Sequence, residues 1–292
     1  MKKILALLGL ISILFIGCTA PSETADIAAT TLPVYQFTAA LCEGTGLTVT
    51  RLVTESVSCL HDYALNVSQV KAVESAQLVV ISGAGLEDFM ADILDGRETI
   101  DASKGIELLE SCQSHEHEDD HGHDHSHEHD AHIWLSPANA MVMARNICAG
   151  LTEQYPNHAD VLEANLSSLL QRLQELQNYA NTQLLDLSCR DMITFHDGFS
   201  YLAEAFDLHI LAAVEEESGA ESSAKELIEL IELTREHHLP AIFTETNGAE
   251  SAAKIIAAET GAGIFTLDMA MAGEDYFEAM YHNIDIIREA LS

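Results

Sequence analysis

The sequence predicts an α/β protein of two lobes, each a parallel sheet covered by helices, joined by one long rigid connecting helix. Three observations lead there. Short β-branched runs alternate with amphipathic helical segments over residues 26–151. The alternation then gives way to one long helical segment with no internal glycine or proline, and afterwards it restarts and runs to the end of the chain. Ligands in such folds sit beyond the carboxyl ends of the strands, and between the lobes when there are two. A site is therefore expected in an inter-lobe cleft.

The chain opens with Lys2 and Lys3, then a nearly unbroken apolar run over 4–16. That run is too short to span a bilayer comfortably and has the build of a secretory signal. Phe15-Ile16-Gly17-Cys18 resembles a bacterial lipobox. Residues 1–17 are thus expected to be a cleaved signal, Cys18 the site of lipidation and 18–25 a tether.

The first lobe is expected over 26–155. Residues 27–32 and 47–53 read as strands, with an amphipathic segment at 35–42 between them. Residues 67–75 read as helix, 78–81 as a short buried strand and 86–94 as helix. Ser136-Pro137 marks a further helix start, a serine cap followed by proline at the first helical position. Met141, Ala144, Ile147 and Leu151 continue it at helical spacing. The connecting helix is expected over 156–187, where Leu162, Leu166, Leu169, Leu170, Leu173 and Leu176 form one apolar stripe. The second lobe, 188–292, repeats the pattern. Its strands are expected at 192–195, 210–214, 241–244 and 264–267, and its helices at 199–206, 223–238, 249–260 and 276–291.

Acidic residues outnumber basic ones 47 to 13, for a net charge of −34. Such a surface repels nucleic acid and anionic lipid headgroups and concentrates cations; no nucleic-acid partner is expected. With Cys18 lipidated, Cys42, Cys59, Cys112, Cys148 and Cys189 remain, an odd and scattered set that makes a poor disulfide framework. Cys42 and Cys148 lie in apolar helical patterns and read as small buried hydrophobes.

The loudest chemical signal is the stretch 113–130, where His115, His117, His121, His123, His125, His127 and His129 alternate with acids. Imidazole is a common ligand of borderline metals such as Zn²⁺, and carboxylates supply charge and further donors. With almost no apolar residue the stretch cannot build a core and is expected as a loop. Its donors are interchangeable, so it should hold metal at several weak sites.

Isolated donors at strand ends are more selective. His61, in Cys59-Leu60-His61-Asp62-Tyr63, follows the second strand. His132, in Ala131-His132-Ile133-Trp134-Leu135, precedes the capped helix. His196 and Asp268 follow strands of the second lobe. Glu245, also at a strand end, is a substitute ligand, a partner of a ligand or a helix-start acid. Asp62 and Asp197 suit orienting or capping work, and Cys59 reads as a packed thiol. His158, His209, His237, His238 and His282 read as surface or packing residues.

The segments 55–63, 132–137, 195–199 and 266–269 resemble the metal-binding motifs of zinc-specific substrate-binding lipoproteins of metal ABC importers, the cluster A-I receptors. The resemblance covers essentially the whole mature chain. It implies three nitrogen ligands, His61, His132 and His196, with Asp268 as the carboxylate. Leu60 stands where some zinc members carry an acid, and Met269 where proline often follows the aspartate. The manganese branch has glutamate at the position of His196, and a third nitrogen favours Zn²⁺ over the harder Mn²⁺. The implied protein is an extracytoplasmic, lipid-anchored monomer carrying Zn²⁺ to a membrane permease. A receptor for Mn²⁺ or Fe²⁺ and a metal-binding surface adhesin are alternatives on the same fold. Three imidazoles and one carboxylate close a tetrahedral shell and leave no position for a reactive water. A zinc hydrolase is the remote alternative, and the chain has neither a His-Glu-x-x-His nor a Gly-x-Ser-x-Gly motif.

Overall fold

The computed structural model describes residues 25–55, 60, 63–110, 129–214, 223–246, 250–271 and 273–292. The expected signal, Cys18, Cys59, His61, Asp62, Cys112 and the histidines from His115 to His127 lie outside the described residues.

Each lobe is built on a four-stranded, all-parallel sheet. In the first, β1 (Ile27–Ala29), β2 (Val49–Arg51), β3 (Leu78–Ile81) and β4 (Thr99–Asp101) lie in the order β2-β1-β3-β4. In the second, β5 (Asp191–Thr194), β6 (His209–Ala213), β7 (Ala241–Glu245) and β8 (Gly263–Leu267) lie in the order β6-β5-β7-β8. The two orders are the same. Each sheet reverses its winding between its first and third strands, and a crevice opens there at the carboxyl ends.

Local chemistry accounts for most boundaries. The strand expected at 27–32 stops at Ala29, because Pro33 in the first turn starts α1 (Leu32–Cys42). Helix α2 (Val67–Ser75) is opened by a capping box between Asn66 and Gln69. Of the helix expected at 86–94, only α3 (Ala91–Leu94) is α-helical, after a single 3₁₀ turn at Asp88–Met90. Strand β4 has no counterpart in the sequence reading, since three residues are too few to show an alternation. Helix α4 (Pro137–Gln154) begins as expected, with the Ser136 hydroxyl accepting from Asn139 N at 3.4 Å.

A 3₁₀ turn at Pro156–His158 leads into α5 (Ala159–Gln183), whose 25 residues span roughly 37 Å. Leu162, Leu169, Leu173, Leu176 and Ala180 form its buried stripe, while Leu166 and Leu170 are only partly covered. The stripe packs on α1, α4 and the last helix, α9 (Tyr276–Leu291). Each buried leucine stabilises this contact by roughly 1.5–3 kcal/mol. Helices α6 (Ser200–Ala205), α7 (Ala224–Glu236) and α8 (Ser251–Thr260) complete the second lobe.

One hydrophobic core runs through both lobes, from Ile27 and Phe37 through Trp134 and the α5 stripe to Phe199 and Tyr276. Smaller clusters cover the outer faces of the two sheets. The lobes are also fastened by hydrogen bonds. Trp134 Nε1 donates to Met269 O at 2.7 Å, and Tyr276 Oη donates to Trp134 O at 2.8 Å. Leu32 N donates to Met271 O at 3.1 Å, and Arg51 Nη1 donates to Gly273 O at 2.7 Å.

Among the described residues no helix is long and apolar enough to cross a membrane. Cys42, Cys148 and Cys189 are free thiols, the first two buried as expected, and burial pushes the Cys42 thiol up to about 12.

Candidate metal centre

His132 and His196 come from different lobes and meet. His132 lies on the segment between β4 and α4, just ahead of a 3₁₀ turn, Ile133–Leu135, whose three side chains are all buried. That anchor holds the residue before it. His196 follows β5 after Thr194, whose hydroxyl donates to His196 O at 3.0 Å and shapes the turn beyond the strand. The two imidazole ring centres are 5.2 Å apart with an interplanar angle of 84°. His132 and His196 are 2 % and 6 % exposed, so neither ring is in bulk water.

The pair fits a shared metal ion. Two imidazoles on one tetrahedral Zn²⁺, each with Zn–N near 2.0–2.1 Å, place their ring centres about 5 Å apart. Among the described residues, His132 Nε2 is buried and has no hydrogen-bond partner, a costly state for a ring nitrogen that a ligand would relieve. Gly198 makes the approach possible. A Cβ there would lie 2.7 Å from His196 Cδ2, 2.8 Å from His132 Nδ1 and 2.7 Å from Met269 Cε.

Each ring has a carboxylate beside Nδ1. Asp130 Oδ1 is 2.8 Å from His132 Nδ1 and accepts from His132 N at the same distance. Burial alone would raise the Asp130 carboxyl, but the bonds from His132 hold it below its ordinary range. Glu245 Oε2 is 3.6 Å from His196 Nδ1, and both side chains are 7 % exposed. Glu245 closes β7 beside β5, so this pair sits in the crevice where the second sheet reverses its winding.

Asp268 lies one residue beyond β8. Its main chain is held in both directions by the buried Asn283 of α9, with N to Oδ1 at 2.8 Å and Nδ2 to O at 2.7 Å. Its Oδ1 accepts from Ala270 N at 2.7 Å, across a turn in which Ala270 takes a left-handed φ of 52°. Among the described residues, no three His, Cys, Asp or Glu side chains converge as an ion-holding group.

The two flanks of the His61 segment are pinned. Leu60 is buried in the core, and Tyr63 Oη donates to Glu55 Oε2 at 2.8 Å. Gln69 Nε2 donates to Tyr63 Oη at 2.6 Å and to Leu52 O at 2.8 Å. Of the histidine-rich stretch, His129 is exposed and forms an antiparallel bridge with Glu110, and Asp130 N donates to Leu109 O at 2.9 Å.

Three residues of this centre escaped the sequence reading. Asp130 was concealed in a run of alternating histidines and acids, although an acid two residues before an isolated histidine is a usable signal. Gly198 and Trp134 matter through packing that no local pattern reports. His209 and His237, read as surface residues, both bond Asp191 at the opposite, amino end of the second sheet, at 3.0 and 3.1 Å.

The family model for the periplasmic zinc-uptake complex component A, ZnuA, matches residues 27–290. The high-affinity zinc uptake system protein ZnuA of Bacillus subtilis is 29 % identical over 279 residues, covering 91 % of this chain and 87 % of that protein. The zinc-binding protein AdcA of Streptococcus pyogenes serotype M1 is 26 % identical over 319 residues. That match covers 98 % of this chain but only 61 % of AdcA, which is the longer protein. A crystal structure of a ZnuA deletion mutant with zinc bound superposes with a TM-score of 0.77 at 29 % identity, covering 92 % of this chain and 99 % of that one.

Proposed function

The chain belongs to the ZnuA family of periplasmic zinc-uptake components, and from that premise we propose that it captures Zn²⁺ outside the cytoplasm and hands it to the permease of an ABC importer. The observation that carries this reading is the buried His132–His196 pair, 5.2 Å between ring centres and contributed by both lobes. The ion is cargo, held and released unchanged. His61, His132 and His196 supply nitrogen and Asp268 the carboxylate; Glu245 stands beside His196 as its carboxylate partner. Four such donors suit Zn²⁺ and leave no place for a reacting water.

The remaining assignments follow the same reading. Cys18 carries the lipid that holds the receptor at the membrane, and residues 18–25 are the tether. His115, His117, His121, His123, His125, His127 and His129 gather zinc at several weak sites. The receptor works as a monomer, because one lobe pair supplies every ligand. With the domain division at 26–155, 156–187 and 188–292, His61 and His132 belong to the first lobe and His196 and Asp268 to the second.

The test is elemental analysis of protein purified without added metal, joined to a competition titration of Zn²⁺ against Mn²⁺. One tightly held zinc per chain, displaced by Mn²⁺ only at large excess, is the expected result. Bound manganese, or equal affinity for both ions, would overturn the assignment of cargo. Protons compete with the metal for imidazole nitrogen. Zinc affinity should therefore fall as pH drops from 7 to 5.

A further inference from the structure

Resting on the zinc-receptor reading, we propose that Asp130 is the positioning residue of the centre: its carboxylate orients His132 beside the segment that carries His196.

Asp130 Oδ1 accepts two bonds from one residue, His132 N and His132 Nδ1, each at 2.8 Å. Backbone and ring are thereby held by a single acceptor, and rotation of the ring breaks one of the two bonds. With Nδ1 engaged, Nε2 is the nitrogen left for a metal, and it is buried with no partner among the described residues. The Asp130 side chain itself is 0 % exposed. The Ser200 side chain, at the first residue of α6 in the other lobe, stands beside this carboxylate.

Ser200 lies four residues after His196 and two after Gly198, the glycine whose missing Cβ lets both imidazoles in. Asp130, His132, Ser200 and the turn bearing His196 are therefore neighbours across the lobe boundary. The stem of the histidine-rich stretch ends on the same residue, through Asp130 N and Leu109 O. A carboxylate in this place sets the distance between ligands from two lobes before any ion arrives.

The experiment measures zinc affinity by chelator competition, and the visible spectrum of the Co²⁺-loaded protein, for the parent, Asp130→Ala, Asp130→Asn, Ser200→Ala and a His132→Ala control. Loss of an outer partner of this kind lowers metal affinity by about 10–100-fold, and Asp130→Ala should fall in that range with an altered Co²⁺ spectrum. Asp130→Asn keeps an acceptor oxygen for both His132 bonds and should recover most of the affinity and the parental spectrum. Ser200→Ala removes only the neighbour of the carboxylate from the other lobe and should shift the spectrum with a smaller loss. Parental affinity and spectrum in Asp130→Ala, or an Asn variant as weak as Ala, would overturn the proposal. If Asp130→Ala does not fold, an unchanged Ser200→Ala decides against it. A His132→Ala protein that binds zinc like the parent would instead remove the premise, a result distinct from failure of Asp130 alone.

Discussion

At the scale of single residues, the centre depends on small side chains as much as on ligands. Gly198 has no room for a Cβ between His132, His196 and Met269. Gly198→Val should force the rings apart and lower zinc affinity at least tenfold, measured by competition titration, while the circular dichroism of the fold is kept. His196→Ala should weaken zinc binding without unfolding the protein, because a residue beyond a strand end carries little packing. His196→Glu should shift relative preference toward Mn²⁺, the harder ion. His209→Ala serves as the contrast: the residue bonds Asp191 at the other end of the sheet and is well exposed, so metal affinity should not change. If His209→Ala weakened binding and His196→Ala did not, the ligand assignment in the second lobe would be wrong.

At the scale of elements, the segments around the cleft are held by bonds to the opposite lobe. Trp134 sits between the His132 segment and the Asp268 turn, and its Nε1 bond to Met269 O is the direct link. Trp134→Phe keeps most of the ring but leaves a buried carbonyl without its donor. Calorimetry should register a loss of about 1–3 kcal/mol. The histidine-rich stretch has a defined stem, closed by the Glu110–His129 bridge. A deletion meant to remove its weak sites should therefore stop at residue 128, since a longer one would take Asp130 with it. Isothermal titration of the 113–128 deletion should show the weak sites gone and the tight site intact. Loss of the tight site would place its ligands inside the deleted stretch.

At the scale of the molecule, stability is linked to a buried acid. Glu87 accepts from Thr30 Oγ1 at 2.6 Å, Ser82 N at 2.8 Å and Gly83 N at 3.0 Å, tying β1 to the loop after β3. Burial, with a smaller push from Asp101, raises its carboxyl from the ordinary 4.5 to about 7. The fold then keeps a proton that the unfolded chain releases, so this contribution to stability is full below about 4.5 and falls as pH rises to about 7. Above that it is flat, roughly 3 kcal/mol lower for a shift of this size. The parent's unfolding midpoint should drop more between pH 5 and pH 8 than that of Glu87→Gln. Equal drops would show that other acids carry the dependence.

Much of this protein was legible along the chain. Helix starts at Asn66 and Ser136, the α5 stripe and the restart of strand-helix alternation are local patterns, and a local pattern survives reading one residue at a time. His132 and His196 stood out as isolated donors at the edges of regular elements. The pairing was not legible. That the His132 and His196 rings sit 5.2 Å apart, that Asp130 bonds His132, and that Gly198 must lack a side chain all depend on how the folded segments meet. The sequence by itself determined which elements form and which donors are on offer. Only the tertiary structure decided which of them meet, because distances across a cleft come from the packing of both lobes on α5 and from the bonds that fasten Trp134 and Tyr276 between them.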